Sequence, residues 1–555
     1  MAEGVGLMPQ LRKVGSGWEL LVDGKPYLIL GAEPYVAWVG LKRYRGKFWY
    51  EISNMGVNTV IITVPWCDIE PDEGMFVFKS LDWALAGPRV QEMRVIVRWY
   101  GSRNISCTPS WIQADQERFP RNEARYKNGN VCCGISMFSP QCVQAESAAF
   151  KALMGHLKKN DQNHTVIMVQ LEDTSFLLRS GDGSSLANEH FQRPVPSKLL
   201  DFLVDEWDSL LPDLKSKFPG LQAKAMQRTK QQNQIGSWEE YFGKERYAHD
   251  IFAAYYFSLH LDKIAAAGKQ AYNIPIFTTA EVPPEWRVAA SESAEEHCSS
   301  HRFLDIWYKF SPALDFVSLK TYTEPKYSEA YHGSRLIWEA IGRRGALGAT
   351  PAGLDFPQLD IWEFLETWTF AKHYQLLGAM MPQITEARMK PDSITGFAFP
   401  TFEKNGAHLM EPVVHQLGSF KLYISPIITS DNPSSGYGII IALGPAHFLL
   451  IGTGYNVKFE CASPAETFEG IAMLEEKSVL DLRKRVLRVE RRLELDETER
   501  LESISMRSER TADERDDISR TIFASRMIAE VHIRCTGRED ITELCHDLEG
   551  IALAE

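Results

Sequence analysis

The residues of this chain best placed to do chemistry lie in the stretch VIMVQLEDTSFLL, from Val166 to Leu178. An apolar, strand-like run ends there in two adjacent carboxylates, Glu172 and Asp173, followed by Thr174 and Ser175. Carboxyl groups at the end of a strand can act as general acid, general base or nucleophile, provided a second group faces them. Other candidates follow neighbouring apolar runs. Glu33 and Tyr35 come after the first and Trp66 and Asp68 after the second. Trp99 and Tyr100 end the third, and Glu281 follows the fifth. An aromatic rim of Tyr35, Trp66, Trp99 and Tyr100 could stack on a ligand, or could simply fill the mouth of the fold.

The elements that must position these groups are near-continuous hydrophobic runs alternating with amphipathic segments. YLILG, NTVIITVPW, RVIVRWYGS, TVIMVQLED, IPIFTTAE, LDFVSLKTY and GALGATPAG read as strands covered on both faces. SKLLDFLVDEWDSLLPDLKSKF and YAHDIFAAYYFSLHLDKIAAAG read as helices between them. Repeated βα units of this kind predict an α/β fold, a (β/α)8 TIM barrel, which places its reactive groups at the carboxyl ends of the strands. From about Gln383 the texture changes to short strands broken by Gly, Pro and Asn, which predicts an antiparallel β domain. The expected domains are residues 18–382 and 383–555. The charge-dense segment from Glu475 to Arg520 is expected to be an exposed helix or a surface hairpin.

The formal net charge of −13 argues against nucleic acid as a partner, because neutralising phosphates needs a basic surface. No apolar run approaches a membrane span and the first residues show no signal-like apolar core, so a cytoplasmic location is expected. The nine cysteines show no CxxC and no Cys/His metal spacing. Inert thiols, no metal and no cofactor are the expectation.

Several stretches together resemble glycoside hydrolase family 35 β-galactosidases of the shorter type. The carriers are YLILGAEP, MGVNTVIITVPWCDIEPDEGMFVF, IVRWYGSRN, TPSWIQADQERFPR, VIMVQLEDTSFLL, SPALDFVSLKTY, ALGATPAGLDF, FAKHYQLL and RRLELDET. The resemblance spans Trp18 to Thr498. It implies a barrel followed by a β domain, and a retaining hydrolysis of a glycoside by two carboxyls about 5–5.5 Å apart. It also implies that the acid/base follows the fourth strand in a Gln-x-Glu-Asn-Glu pattern. This chain reads Gln170-Leu171-Glu172-Asp173-Thr174 instead, so Thr174 stands at the proton donor's position and Glu172 or Asp173 would have to replace it. The implied nucleophile belongs to a seventh strand. Only 22 residues separate Tyr322 from Gly345, so that strand is expected to be missing or shortened, with Glu324 and Glu329 the nearest acids. Glu386 falls beyond the barrel. Further departures fall at Gly31-Ala32-Glu33-Pro34-Tyr35-Val36, Trp66-Cys67 and Thr279-Ala280-Glu281. Three readings follow: a hydrolase working with surrogate acids, a non-hydrolytic descendant that binds a small molecule or glycoside, and a structural remnant.

Overall fold

The computed structural model describes residues 7–14, 17–34, 45–122, 134–172, 182–217, 220–221, 236–243, 246–282, 303–321, 338, 358–361, 367–399, 412–427, 436–495, 501–507, 521–524 and 526–536. Three short antiparallel strands open the chain: β1 (Gln10–Val14), β2 (Gly17–Val22) and β3 (Lys25–Pro26). A seven-stranded parallel sheet follows. Its strands are β4 (Gly31–Pro34), β5 (Thr59–Pro65), β6 (Arg94–Tyr100), β7 (Val166–Leu171), β8 (Ile276–Val282), β9 (Phe316–Thr321) and β10 (Gln358–Ile361). Their spatial order is β10-β4-β5-β6-β7-β8-β9. Each strand lies beside its predecessor, and the last returns to the free side of the first. This is the cyclic order of a (β/α)8 barrel with one strand position left between β9 and β10 among the described residues.

The hydrophobic runs form these strands because both faces are covered. Every residue of β7 is buried. One face of the sheet meets helices: Trp99 of β6 packs on Phe150 of the helix Pro140–Asn160, which lies beside Arg246–Ala271. The other face points into the barrel. There Ile61, Ile96, Met168, Phe277 and Phe316 form an apolar layer with Leu20, Val22 and Ile29 from the opening segment. The last strand differs from the expected one: it is Gln358–Ile361, in parallel register with β4, whereas GALGATPAG lies outside the described residues.

The block WCDIEPDEG explains itself locally. After β5 the chain makes one helical turn, Trp66–Ile69, and the buried Glu70 carboxylate closes the corner. One Glu70 oxygen accepts the Trp66 indole N–H at 2.8 Å; the other accepts the Gly74 amide N–H, also at 2.8 Å. Gly74 takes φ +76°, a conformation that favours glycine.

The second unit carries β11 (Ile394–Ala398), β12 (Val413–Leu417), β13 (Phe420–Pro426), β14 (Tyr437–Gly444), β15 (His447–Thr453) and β16 (Tyr455–Cys461). These are followed by β17 (Thr467–Asp481), β18 (Val486–Glu494), β19 (Ser503–Met506), β20 (Thr521–Ala524) and β21 (Ile528–Thr536). They form a six-stranded sheet, β11-β14-β15-β21-β17-β18, and a five-stranded sheet, β12-β13-β16-β19-β20. Residues of both sheets share one core, including Phe420, Leu422, Phe448, Val457, Ile471 and Val531. All ladders but β19–β20 are antiparallel. Of the two forms expected for the charge-dense segment, the part from Glu475 to Glu494 is the hairpin. Its register sets Glu475 opposite Arg492 and Glu476 opposite Arg491, and both pairs form ion pairs at 3.4 Å.

The Glu70 corner supports a direct test. A glutamine there has one acceptor for two N–H donors, so Glu70→Gln turns an N–H2 against a donor. The substitution should lower stability by about 1–3 kcal/mol in urea unfolding. An unchanged midpoint would show that the corner does not depend on the carboxylate.

Candidate active site

The carboxyl ends of the parallel strands sit side by side. The ladder aligns Pro65 with Tyr100 and Trp99 with Leu171, so the residues after β5, β6 and β7 emerge together. Along β6, Ile96 and Arg98 face the barrel interior whereas Trp99 faces the helices, as strand alternation requires.

Above the apolar layer the interior turns polar. Arg98, almost fully buried, is paired with the Glu33 carboxylate on β4, one arm donating to Oε2 at 2.9 Å and the other to Oε1. Its Nε donates to Gln170 Oε1 on β7 at 3.1 Å. Gln170 Nε2 donates in turn to the Glu172 carbonyl at 2.9 Å and lies 3.5 Å from Thr279 Oγ1 on β8. The Arg98 guanidinium also lies 5.9 Å from the centre of the Tyr100 ring. A chain of fixed polar groups thus links β4, β6, β7 and β8 inside the barrel. A planar, always-charged guanidinium held by a carboxylate and an amide has few ways to move. Asp360 on β10 is the register partner of Glu33, which brings a further carboxylate-bearing position to the same end of the sheet.

A second cluster lies behind the strands. Glu172, the residue after β7, has φ +56°, which ends the strand's alternation there. Its carboxyl accepts the Gly101 amide N–H at 2.9 Å and is 2 % exposed as a residue. On the same turn, Glu146 accepts from the Ser102 hydroxyl at 2.5 Å, the Ser102 amide at 3.2 Å and the Trp99 indole at 3.1 Å. Glu146 is 0 % exposed. Gly101 separates the two acids, and a Cβ there would stand 1.8 Å from Glu146 Oε1, so only glycine fits. His260, from the helix Arg246–Ala271, lies with Nε2 3.8 Å from Glu146, and among the described residues neither ring nitrogen has a hydrogen-bond partner. Arg103 completes the cluster, donating to the Ile135 carbonyl at 3.1 Å and standing 3.8 Å from Asp182.

Burial sets the protonation of this cluster. It raises both carboxyls, and the charge of Glu146 raises Glu172 further. It also pushes the His260 imidazole down to about 3, with Arg103 adding to the effect, so the ring is neutral. Two acids at one water-excluded turn favour proton retention over paired charges. Burial, with the charge of Glu172 next, pushes the nearby Cys107 thiol up to about 12.

The expected site residues fall into separate groups. Glu33 and Tyr100 join the interior network. Asp68 keeps an accessible carboxyl after β5, yet neighbouring groups crowd out enough water to raise its pKa. Glu172 points into the second cluster. Trp66 and Trp99 differ from the rim expected of them: both are 0 % exposed and spend their indole N–H on Glu70 and Glu146, which makes them scaffold. Glu281 lies on β8. Tyr35, Asp173, Thr174, Glu324 and Glu329 lie outside the described residues. Glu386 is on the helix Met381–Met389 of the second unit, paired with Lys390 at 2.7 Å.

Arg98, Gln170, Glu146 and His260 are the residues the sequence reading passed over. Glu146 did leave a signal, an acid inside the apolar stripe Cys142, Ala149, Phe150, Leu153 at helical spacing. Elsewhere, among the described residues, His447, Glu530 and His532 of the second unit lie close enough to share a metal ion. The Glu530 carboxylate there already has partners: hydrogen bonds with His447, at 2.5 Å, and with the Lys477 ammonium hold it down at about 2.

The family model that matches this chain is that of a domain of unknown function (DUF5597), over residues 370–505. No curated protein matches it. Among solved structures, the chain is similar to the β-galactosidase from Bacillus circulans sp. alkalophilus, at 11 % identity and TM-score 0.35 over 56 % of this chain and 42 % of that one. It is similar to the cold-adapted β-galactosidase from Rahnella sp. R3, at 14 % identity and TM-score 0.41 over 64 % and 56 %. A third is the catalytic domain of the β-amylase from Paenibacillus polymyxa, at 10 % identity and TM-score 0.36 over 62 % and 89 %. The chain thus spans about half the length of the two β-galactosidases.

The buried acid pair gives a pH dependence of definite sign. A carboxyl whose pKa is raised in the folded state binds a proton there that the unfolded chain has already lost. Stability is therefore full at low pH and falls as pH rises above the ordinary Glu value, by about 1.4 kcal/mol per pH unit for each retained proton. In Glu172→Gln the amide oxygen still accepts from Gly101 and its N–H2 can donate to Glu146. The urea midpoint of the unaltered chain should fall between pH 5 and 8, and that of the variant should fall less. Equal slopes would mean that Glu172 is ionised in the folded protein.

Proposed function

We propose that the barrel binds a carbohydrate glycoside at the carboxyl ends of β4–β8 and hydrolyses its O-glycosidic bond, in the manner of β-galactosidases. The observation that carries this reading is the interior network of Glu33, Arg98, Tyr100, Gln170 and Thr279. It sets a rigid row of donors and acceptors beside an aromatic ring at the end of the sheet where such barrels meet their substrates. In this reading Asp173 stands in for the acid/base that the resemblance puts at the position of Thr174, and Glu324 or Glu329, the nearest acids in sequence, stands in for the nucleophile. Glu172 acts as a positioning residue, because its carboxyl is committed to Gly101. Tyr35, Asp68, Thr174 and Glu281 are the further positions assigned to substrate.

A second reading, binding without hydrolysis, is favoured by that same commitment. The acid at the end of β7 whose placement is described has its oxygen on a backbone amide in a buried cluster, away from any incoming glycosidic oxygen.

The two readings separate on the full chain with p-nitrophenyl β-galactoside and other aryl glycosides between pH 4 and 8. Hydrolysis predicts release of p-nitrophenol, lowered at least 10³-fold in Asp173→Asn and retained in Glu172→Gln at temperatures where that variant is folded. Saturable binding without release supports the second reading. Neither release nor binding overturns both.

A further inference from the structure

In the second unit the two sheets approach at one rim through two thiols. Cys461 is the last residue of β16 in the five-stranded sheet, opposite Phe420 in its ladder. Cys535 lies near the end of β21 in the six-stranded sheet, opposite Phe468. Both are partly buried against the shared core. Their sulfur atoms are 3.4 Å apart, although 74 residues separate them in sequence.

We propose that Cys461 and Cys535 are a disulfide-forming site that cross-links the two sheets of the second unit. A disulfide needs a sulfur–sulfur distance of about 2.05 Å, so closure from the present contact requires about 1.4 Å of approach, within reach of side-chain rotation. Both cysteines keep some exposure, which admits a small oxidant. Cys107 and Cys142 of the first unit, by contrast, are buried thiols whose pKa burial raises, and they are poor nucleophiles.

The oxidant is a low-molecular-weight disulfide such as oxidised glutathione. The thiolate of one cysteine attacks a glutathione sulfur, forming a mixed disulfide and releasing one glutathione thiolate. The second cysteine, as its thiolate, then attacks the protein sulfur of that mixed disulfide. The Cys461–Cys535 bond forms and the second glutathione leaves. Two protein thiols are oxidised, one glutathione disulfide is reduced to two thiols, and the two protons go to solvent or to the departing thiolates. The bond closes a long loop that contains β17 to β20, and such loops restrict the unfolded chain strongly.

The test uses the folded full chain with oxidised glutathione at pH 8, followed by intact mass and non-reducing peptide mapping. The expected result is loss of two hydrogens, one peptide joining Cys461 to Cys535, and reversal by dithiothreitol. The cross-linked chain should melt roughly 5–15 °C higher than the same sample after reduction. Cys461→Ser should show no cross-link and should leave Cys535 carrying a glutathione adduct. Should serine disturb folding, Cys461→Ala serves the same purpose. Two separate glutathione adducts, or two free thiols after treatment, in the unaltered chain would overturn the proposal.

Discussion

At the turn Gly101–Ser102 two carboxyls reach the same few backbone atoms from opposite sides, and water does not reach either. Glu172 arrives from the end of β7 and Glu146 from the helix Pro140–Asn160. Leaving both ionised there would place two like charges in a medium that solvates neither, so the pair keeps proton. That requirement fixes much else. Gly101 must lack a side chain, because Glu146 occupies the space. The Trp99 indole is spent on Glu146, which docks the helix against β6. The left-handed backbone of Glu172 ends the strand.

The same two strands carry two different kinds of polar network on their two faces, and the difference follows from strand alternation. Arg98 and Gln170 share the interior face, where a cation is balanced by the Glu33 carboxylate. Trp99 belongs to the other face, where neutral acids and a neutral imidazole pack among helices. An ion-paired network toward the interior, and behind it a pair of proton-retaining acids with Arg103 at their edge, give the sheet an asymmetric polarity. The charged face is the one that could orient a polar ligand, because its groups are fixed before any ligand arrives. The protonated face supports it by holding β6 and β7 in register at their ends.

Much of the fold was legible in the sequence because continuous apolar runs need cover on both sides. NTVIITVPW, RVIVRWYGS, TVIMVQLED, IPIFTTAE and LDFVSLKTY are all strands of the parallel sheet. Glu70 acts within its own motif: its carboxylate serves Trp66 and Gly74, four residues away on each side. YLILG gave its strand late, since the ladder begins only at Gly31, and the segment before it is held by Asn58 side-chain bonds to Leu28 and Leu30. The polar interior was less legible, because Arg98 meets Glu33 across 65 positions of sequence and nothing in the local pattern joins them. The burial of Trp66 and Trp99 was hidden likewise. An indole at a strand end reads as a rim residue until the carboxylate that takes its N–H is known.

The closure of the barrel turns on where its last strand begins. If that strand were GALGATPAG, the chain between it and the sixth strand would hold a helix and little more. The strand that pairs with β4 is instead Gln358–Ile361, so the interval after β9 runs over residues 322–357. A βα unit takes roughly 30 residues in a barrel of this class, and an interval of that size can hold one. Chain length therefore no longer argues against a seventh strand. The sheet itself supplies an opposite pressure. β9 and β10 each keep one edge without a ladder partner among the described residues, and an open edge of a parallel sheet leaves a row of backbone donors and acceptors to be satisfied.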